Sequence, residues 1–157
     1  MNNWLEETYR EHAQSLFRLA WLILRDVAAA EDAVHAAFLT MLTVTQKPLN
    51  QKGFAMRAVR NAAIDERRRR LRKSSKFLDE SQHCKVFPNA SSALEVEELL
   101  QSLTHAQQEV VQYHLRLQMS FREIAELLAE PISTVSSRYQ RAIEQLRKQA
   151  EVHNERT

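Results

Sequence analysis

A chain of 157 residues that is 44% hydrophobic and 27% charged has room for one or two small cored domains and is too apolar for a disordered tail. One Gly and three Pro exclude a turn-rich sheet protein, and the abundance of Ala, Leu, Gln, Glu and Arg predicts an all-α fold. The net charge of +2 conceals a basic block, in which Arg57, Arg60, Arg67, Arg68, Arg69, Arg70, Arg72, Lys73 and Lys76 face only Asp65 and Glu66, a balance that points to a polyanionic partner.

Residues 4 to 25 are expected to form a first helix. Leu16, Leu19, Ala20, Ile23 and Val27 recur at helical spacing, and Phe17, Trp21 and Leu24 widen the stripe. A helix so broadly apolar packs on several sides. Its segment LFRLAWLILR is too short to cross a bilayer and lacks the basic leader and cleavage site of a signal peptide. The chain is therefore expected in the cytoplasm, with no direct membrane insertion. Asp26 is placed to cap a second helix through AEDAVHAAFLTMLT, with Glu31 and Asp32 near its positive end. QKPLNQKG breaks that helix, with Pro48 and Gly53 as the breakers. A third helix runs from about Phe54 to Lys73, with Met56, Val59, Ala62 and Ala63 as a modest buried face.

Residues 74–93 lose periodicity and gain Ser, Asn and Pro, so they are expected to link a first domain (1–73) to a second (94–150), with 151–157 as a tail. A short ordered piece is expected around Phe77 or Phe87. Cys84 is the only cysteine, which excludes an intrachain disulfide, and with His83 it fits no CxxC or HxxxH pattern. No metal or other cofactor is expected.

In the second domain Leu99, Leu100 and Leu103 close a short helix. Thr104 with Gln107 and Ser120 with Glu123 then form two capping boxes. The helix after Thr104 carries Val110, Val111, His114 and Leu115, and the one after Ser120 buries Phe121, Ile124, Ala125 and Leu128. The turn EPIS precedes a last helix from Ser133 to about Gln149. The lengths of this helix, turn and longer helix match a helix-turn-helix.

In the last helix Val135, Tyr139, Ala142 and Leu146 share one face, while Ser133, Ser137, Gln140, Arg141 and Lys148 share the opposite one, flanked by Thr134 and Ser136. Small hydroxyls allow close approach to DNA, and Gln and Arg bond base edges bidentately in the major groove. In the third helix Arg57, Asn61, Asp65, Arg68 and Arg72 form a second stripe. Asn61 has the donor and acceptor needed to read an unpaired base, while Arg67, Arg69, Arg70, Arg72 and Lys73 offer phosphate grip. An ordinary solvated helix would pair Asp65 and Glu66 with Arg68, Arg69 and Arg70, but two acids cannot neutralise so many cations.

AEDAVHAAFLTML, MRAVRNAAIDERRRR and MSFREIAELLAEPISTVSSRYQRAIEQLR, in this order and spacing, resemble regions 2 and 4 of an RNA polymerase sigma factor of the sigma-70 family. The lack of a middle domain resembles the extracytoplasmic-function (ECF) group. The resemblance implies a sigma factor that directs core RNA polymerase to specific promoters and assists their opening. It implies polymerase docking through Asp32, Val34, His35, Phe38 and Leu39. It also implies −10 recognition and melting through Arg57, Arg60, Asn61, Asp65, Arg68 and Arg69, with segment 43–53 as the loop for a flipped base. Reading of the −35 element falls to Ser133, Thr134, Ser136, Ser137, Arg138, Gln140 and Arg141. The implied partners are core RNA polymerase, promoter DNA as duplex and melted strand, and an anti-sigma factor.

The chain departs from the family pattern in three places, one of them a two-residue turn. His35 stands where Gln is usual, Phe54 where Trp is usual, and Ala129 and Glu130 where the turn often has Gly. A positive φ in that turn would strain a residue other than Gly. A polymerase-independent helix-turn-helix regulator, or a sequestering interaction module, also fits part of the pattern. No nucleophile–base pair, glycine-rich phosphate loop or metal set points to an enzyme.

Overall fold

The computed structural model describes residues 3–74 and 90–156, the side chains of 90–95 excepted. The residues expected to form a short ordered piece in the linker, and Cys84, lie outside the described residues. Within them are seven helices and no strand: α1 (Asn3–Leu24), α2 (Val27–Met41), α3 (Gln51–Ser74), α4 (Ala90–Gln101), α5 (His105–Leu115), α6 (Phe121–Leu128) and α7 (Ile132–Glu155). The all-α expectation holds, and the chain divides into two compact units, Met1–Cys84 and Lys85–Thr157.

In the first unit α1, α2 and α3 each pack against the other two. Their shared core contains Leu16, Leu19, Ala20 and Trp21 from α1, Ala30, Ala33, Val34, Ala37 and Met41 from α2, and Ala55, Met56, Val59 and Ala63 from α3. The first turns of α1 also contribute: Trp4, Leu5 and Thr8 are buried, and the Thr8 hydroxyl donates to the Trp4 carbonyl at 2.6 Å. Trp4 meets Phe54 edge-on at 6.5 Å between ring centroids, which ties α1 to the start of α3.

Val27 does not extend the α1 stripe. Arg25 adopts φ 54, its N–H closes on the Trp21 carbonyl at 2.7 Å, and its guanidinium lies 4.8 Å from the centre of the Trp21 ring. The chain therefore turns before Val27, which opens α2 on an exposed face. Asp26 caps α2 as expected, its carboxylate accepting from the Ala29 N–H at 3.0 Å. α2 ends at Met41, short of Thr43, where the Thr43 hydroxyl donates to the Thr40 carbonyl.

Gly53 does not break a helix but lies in the first turn of α3. Asn50 Oδ1 accepts from the Gly53 N–H at 2.9 Å. A Cβ at Gly53 would stand 2.4 Å from Asn50 Nδ2, so the absence of a side chain lets Asn50 close over that turn. α3 thus starts three residues before the position expected from apolar periodicity, which polar Gln51 and Lys52 do not reveal.

The second unit contains both expected capping boxes, each with its two reciprocal hydrogen bonds. Leu100, Leu103, Val111 and Ala142 form a core cluster with Tyr139 and Leu146 packed against it. Val110, Ile124 and Val135 are fully buried. On α5, Val110, Val111 and Tyr113 are buried, while Leu115 is exposed. Leu115 ends its helix, and the chain then reverses through Gln118 at φ 55. On α6, Leu127 is buried more deeply than Leu128. With no Pro or Gly to stop it, α7 continues past the expected end near Gln149 to Glu155.

Candidate nucleic-acid interface

The outer side of α3 forms one wall of an open groove of about 790 Å³, opposed by Ala36, Ala37 and Thr40 of α2. Arg57, Asn61, Asp65 and Arg69 line it, with Phe54 toward the start of α3 and Glu66 and Arg72 toward its end. Arg57, Asn61 and Asp65 are exposed, so their polar atoms face solvent in one file. Arg60 and Arg68 are not among the lining residues. Ala36, Ala37, Ala58 and Ala62 leave the groove open between its polar side chains.

Part of the basic block is already engaged. Glu66 pairs with Arg69 and accepts from Arg70 Nε at 3.2 Å. Arg70 also reaches across to Asp26, Nη1 to Oδ2 at 3.5 Å. The Ala29 N–H bond, with help from Arg70, outweighs burial and holds the Asp26 carboxyl below its usual pKa. Arg70, expected as phosphate grip, therefore braces α3 against the start of α2. The solvated-pair alternative accounts for Glu66, Arg69 and Arg70 and leaves the groove file of Arg57, Asn61 and Asp65 unexplained.

On α2, Asp32, His35 and Leu39 are exposed at steps of three and four residues, so they form one outward stripe. Phe38 is half-buried, its ring edge-on to Tyr9 at 5.2 Å. Val34 is buried and supports the helix from inside. In segment 43–53 only residues 51–53 are helical, and Leu49 is fully exposed.

In the second unit α6 ends in a Schellman turn. Ala129 sits at φ 54, ψ 44, its N–H directed to the Ala125 and Glu126 carbonyls, while the Glu130 N–H reaches the Ala125 carbonyl at 3.0 Å. The turn does require the left-handed conformation, and Ala bears the strain that Gly would avoid. His114 of α5, Phe121 of α6 and Tyr139 of α7 then lock the three helices, with ring centroids 4.6 to 5.1 Å apart. His114 Nδ1 lies 2.8 Å from the Met119 carbonyl. A carbonyl only accepts, so Nδ1 carries the proton.

That packing fixes α7 with Ser133, Thr134, Ser137, Gln140 and Arg141 exposed and Ser136 half-buried. Arg138 differs: its Nη1 lies 2.6 Å from Glu130 Oε2.

Residues 8–73 match the family model for sigma-70 region 2, and residues 93–146 match that for sigma-70 region 4. The chain belongs to the sigma-70 family. It is a sigma factor, which brings core RNA polymerase to promoter DNA for transcription initiation. Only residues 74–92 separate the two matched regions, the two-region form of the ECF group. No curated protein matches it by sequence. Among solved structures, the sigma factor RpoE in complex with the anti-sigma factor NepR from Bartonella quintana shares its fold. That match has a TM-score of 0.66 at 18% identity and covers 94% of this chain and 98% of the other.

In this sigma factor, region 2 holds the groove and region 4 the helix-turn-helix. Three features of these surfaces escaped the sequence pattern. Leu42 is exposed and continues the α2 stripe one turn beyond Leu39, a position that periodicity alone assigns to neither face. Thr40 faces the groove from α2, which only the packing of two helices reveals. Glu130 holds Arg138, and a spacing of eight residues across a turn has no helical signature. Among the described residues no group of His, Cys, Asp or Glu is placed to hold a metal ion, and no helix is long and apolar enough to cross a membrane.

Proposed function

We propose that the two surfaces of this sigma factor divide the promoter between them. The α2–α3 groove takes the melted −10 strand, with Asn61 and Asp65 facing an unpaired base and Arg57 and Arg69 beside its phosphates. Arg60 and Arg68 flank the groove and meet the strand on either side of it. The exposed face of α7 reads the −35 duplex with Ser133, Thr134, Ser136, Ser137, Gln140 and Arg141. The observation that carries this assignment is the groove, which gathers an amide, a carboxylate and arginines on one wall. An amide and a carboxylate present hydrogen-bonding groups to a base edge, and arginines supply phosphate contact and stacking.

Core polymerase docks on the α2 stripe of Asp32, His35 and Leu39, with Phe38 at its edge and Leu42 as its extension. Exposed Leu39 and Leu42 support this, since neighbouring apolar side chains on an outward stripe favour a protein partner. The factor acts in the cytoplasm, performs no bond chemistry of its own, and needs no cofactor. The similar sigma factor from Bartonella quintana forms a complex with an anti-sigma factor, and a partner of that kind suits this chain.

Run-off transcription with purified core polymerase on a library of genomic fragments tests the reading. Promoter-dependent transcripts are expected, with permanganate-reactive thymines near −10. Their failure to appear with every fragment would refute it. Capture of core polymerase by the chain separates this reading from a polymerase-independent regulator, which would not be retained.

A further inference from the structure

The exposed face of α7 contains one cation that is not presented like the others. At 100° per residue, Arg138 lies on the flank between the polar face centred on Ser133 and Ser137 and the buried face of Val135 and Ala142. Its side chain is 24% exposed, and Nη1 meets Glu130 Oε2 at 2.6 Å, a charge-assisted bond. Both ends of this pair stand on fixed backbone. Glu130 is held by the Schellman bond to Ala125 and by Pro131 after it, and Arg138 lies in mid-helix. Backbone ordering therefore adds nothing to the cost of the pair, which is left with the side-chain entropy of Glu and Arg.

We infer that Glu130 is a specificity-determining residue of region 4, because it retains Arg138 on the turn and withholds it from DNA. The inference rests on the assignment of α7 to the −35 duplex. A free arginine at this flank of a DNA-reading helix would take a phosphate, a contact that strengthens binding to every sequence alike. Paired with Glu130, Arg138 is a positioning residue that fixes the angle between the turn and α7. The pair is neutral, and base reading is left to Ser137, Gln140 and Arg141. Affinity for unrelated DNA stays low, which widens the margin for the correct element.

The test uses the full chain assembled with core polymerase and duplexes that this holoenzyme enriches from a random pool. Binding to an enriched duplex and to a version with a scrambled upstream element is measured across salt concentrations. Glu130→Ala should steepen the log affinity–log salt slope by about 0.9, the value of one added phosphate contact. It should also narrow the ratio between the two duplexes several-fold. Arg138→Ala alone should leave the slope unchanged, and added to Glu130→Ala it should restore the original slope. Thermal melting of each variant confirms that region 4 is folded.

Unchanged slope and ratio in folded Glu130→Ala would overturn the inference. So would a flatter slope in Arg138→Ala alone, which would mean that Arg138 already grips a phosphate. Steepening that persists in the double variant would also overturn it, by assigning the effect to the Glu130 charge itself. A holoenzyme that enriches no sequence overturns the α7 assignment and this inference with it. Enrichment with equal slopes overturns the inference alone.

Discussion

Arg70 near the end of α3 places Nη1 3.5 Å from Oδ2 of Asp26, the residue that caps α2. One carboxylate thus satisfies the start of one helix and anchors the end of another. Asp26→Ala removes both roles, and the lost cap alone costs about 1 kcal/mol. The variant should have a lower urea midpoint and faster amide exchange in the first turn of α2.

The same carboxylate gives a pH dependence of known sign. Its pKa is lowered in the folded chain, first by the Ala29 N–H bond and then by Arg70. Such a group stabilises the fold above its unfolded pKa, near 4, and that contribution is lost as pH falls through the folded value. Asp26→Asn keeps an acceptor but loses the charge. The stability gap between wild type and Asp26→Asn should be full at neutral pH and close as pH falls below about 4. A gap that widens on acidification would contradict the cap geometry.

Ala129 occupies the left-handed region at the end of α6 without the glycine that suits it. Ala129→Gly should stabilise region 4 by about 0.5–1 kcal/mol, since the strain of a Cβ at positive φ exceeds the added freedom of the unfolded chain. Thermal melting of the full chain reads the change. A lower melting temperature would mean that the turn is not strained.

These features show where the sequence is informative and where it is not. Helix type, the Asp26 cap, both capping boxes and the two polar faces follow from periodicity and local hydrogen-bonding chemistry, and the structure contains all of them. Local patterns fail where the decisive contact joins distant residues. Val27 looks like an α1 core position until Arg25 turns the chain, and Gly53 looks like a breaker until Asn50 is seen to fold over it. The groove needs Thr40 and Asn61 on different helices, and the Arg138–Glu130 pair needs a turn of fixed geometry. A one-dimensional pattern registers a residue's period but not the partner brought to it by tertiary packing.

His114 bridges three elements through one ring, stacked on Phe121, edge-on to Tyr139 and bonded to the Met119 carbonyl. Removing it leaves a gap beneath α7 and an unpaired carbonyl. His114→Ala should destabilise region 4 by on the order of 2 kcal/mol from lost ring contacts and the lost hydrogen bond. The urea midpoint measures this, and near-UV circular dichroism should show the loss of fixed aromatic packing.

Arg141 is exposed on the polar face of α7, one turn after Ser137. Arg141→Ala should cost about 1–3 kcal/mol at one upstream promoter position and little elsewhere. Binding to duplexes with each upstream base substituted in turn locates that position. Equal losses on every duplex would identify a phosphate contact instead.

Asn61 stands on the groove wall with Arg57 one turn before it and Asp65 one turn after. Its amide can donate to and accept from one base edge, but such an edge is free only after the pair has opened. Its contribution should therefore appear at opening and not at the first duplex encounter. Asn61→Ala should leave duplex binding by the holoenzyme nearly intact and reduce permanganate reactivity near −10 by about tenfold, the effect of about 1.4 kcal/mol at the opened state. Asn61→Asp separates the donor from the acceptor, because it keeps the oxygen and adds negative charge beside the strand, and should reduce opening further. Unchanged reactivity in both variants would remove Asn61 from the base-reading set and leave the groove to its arginines.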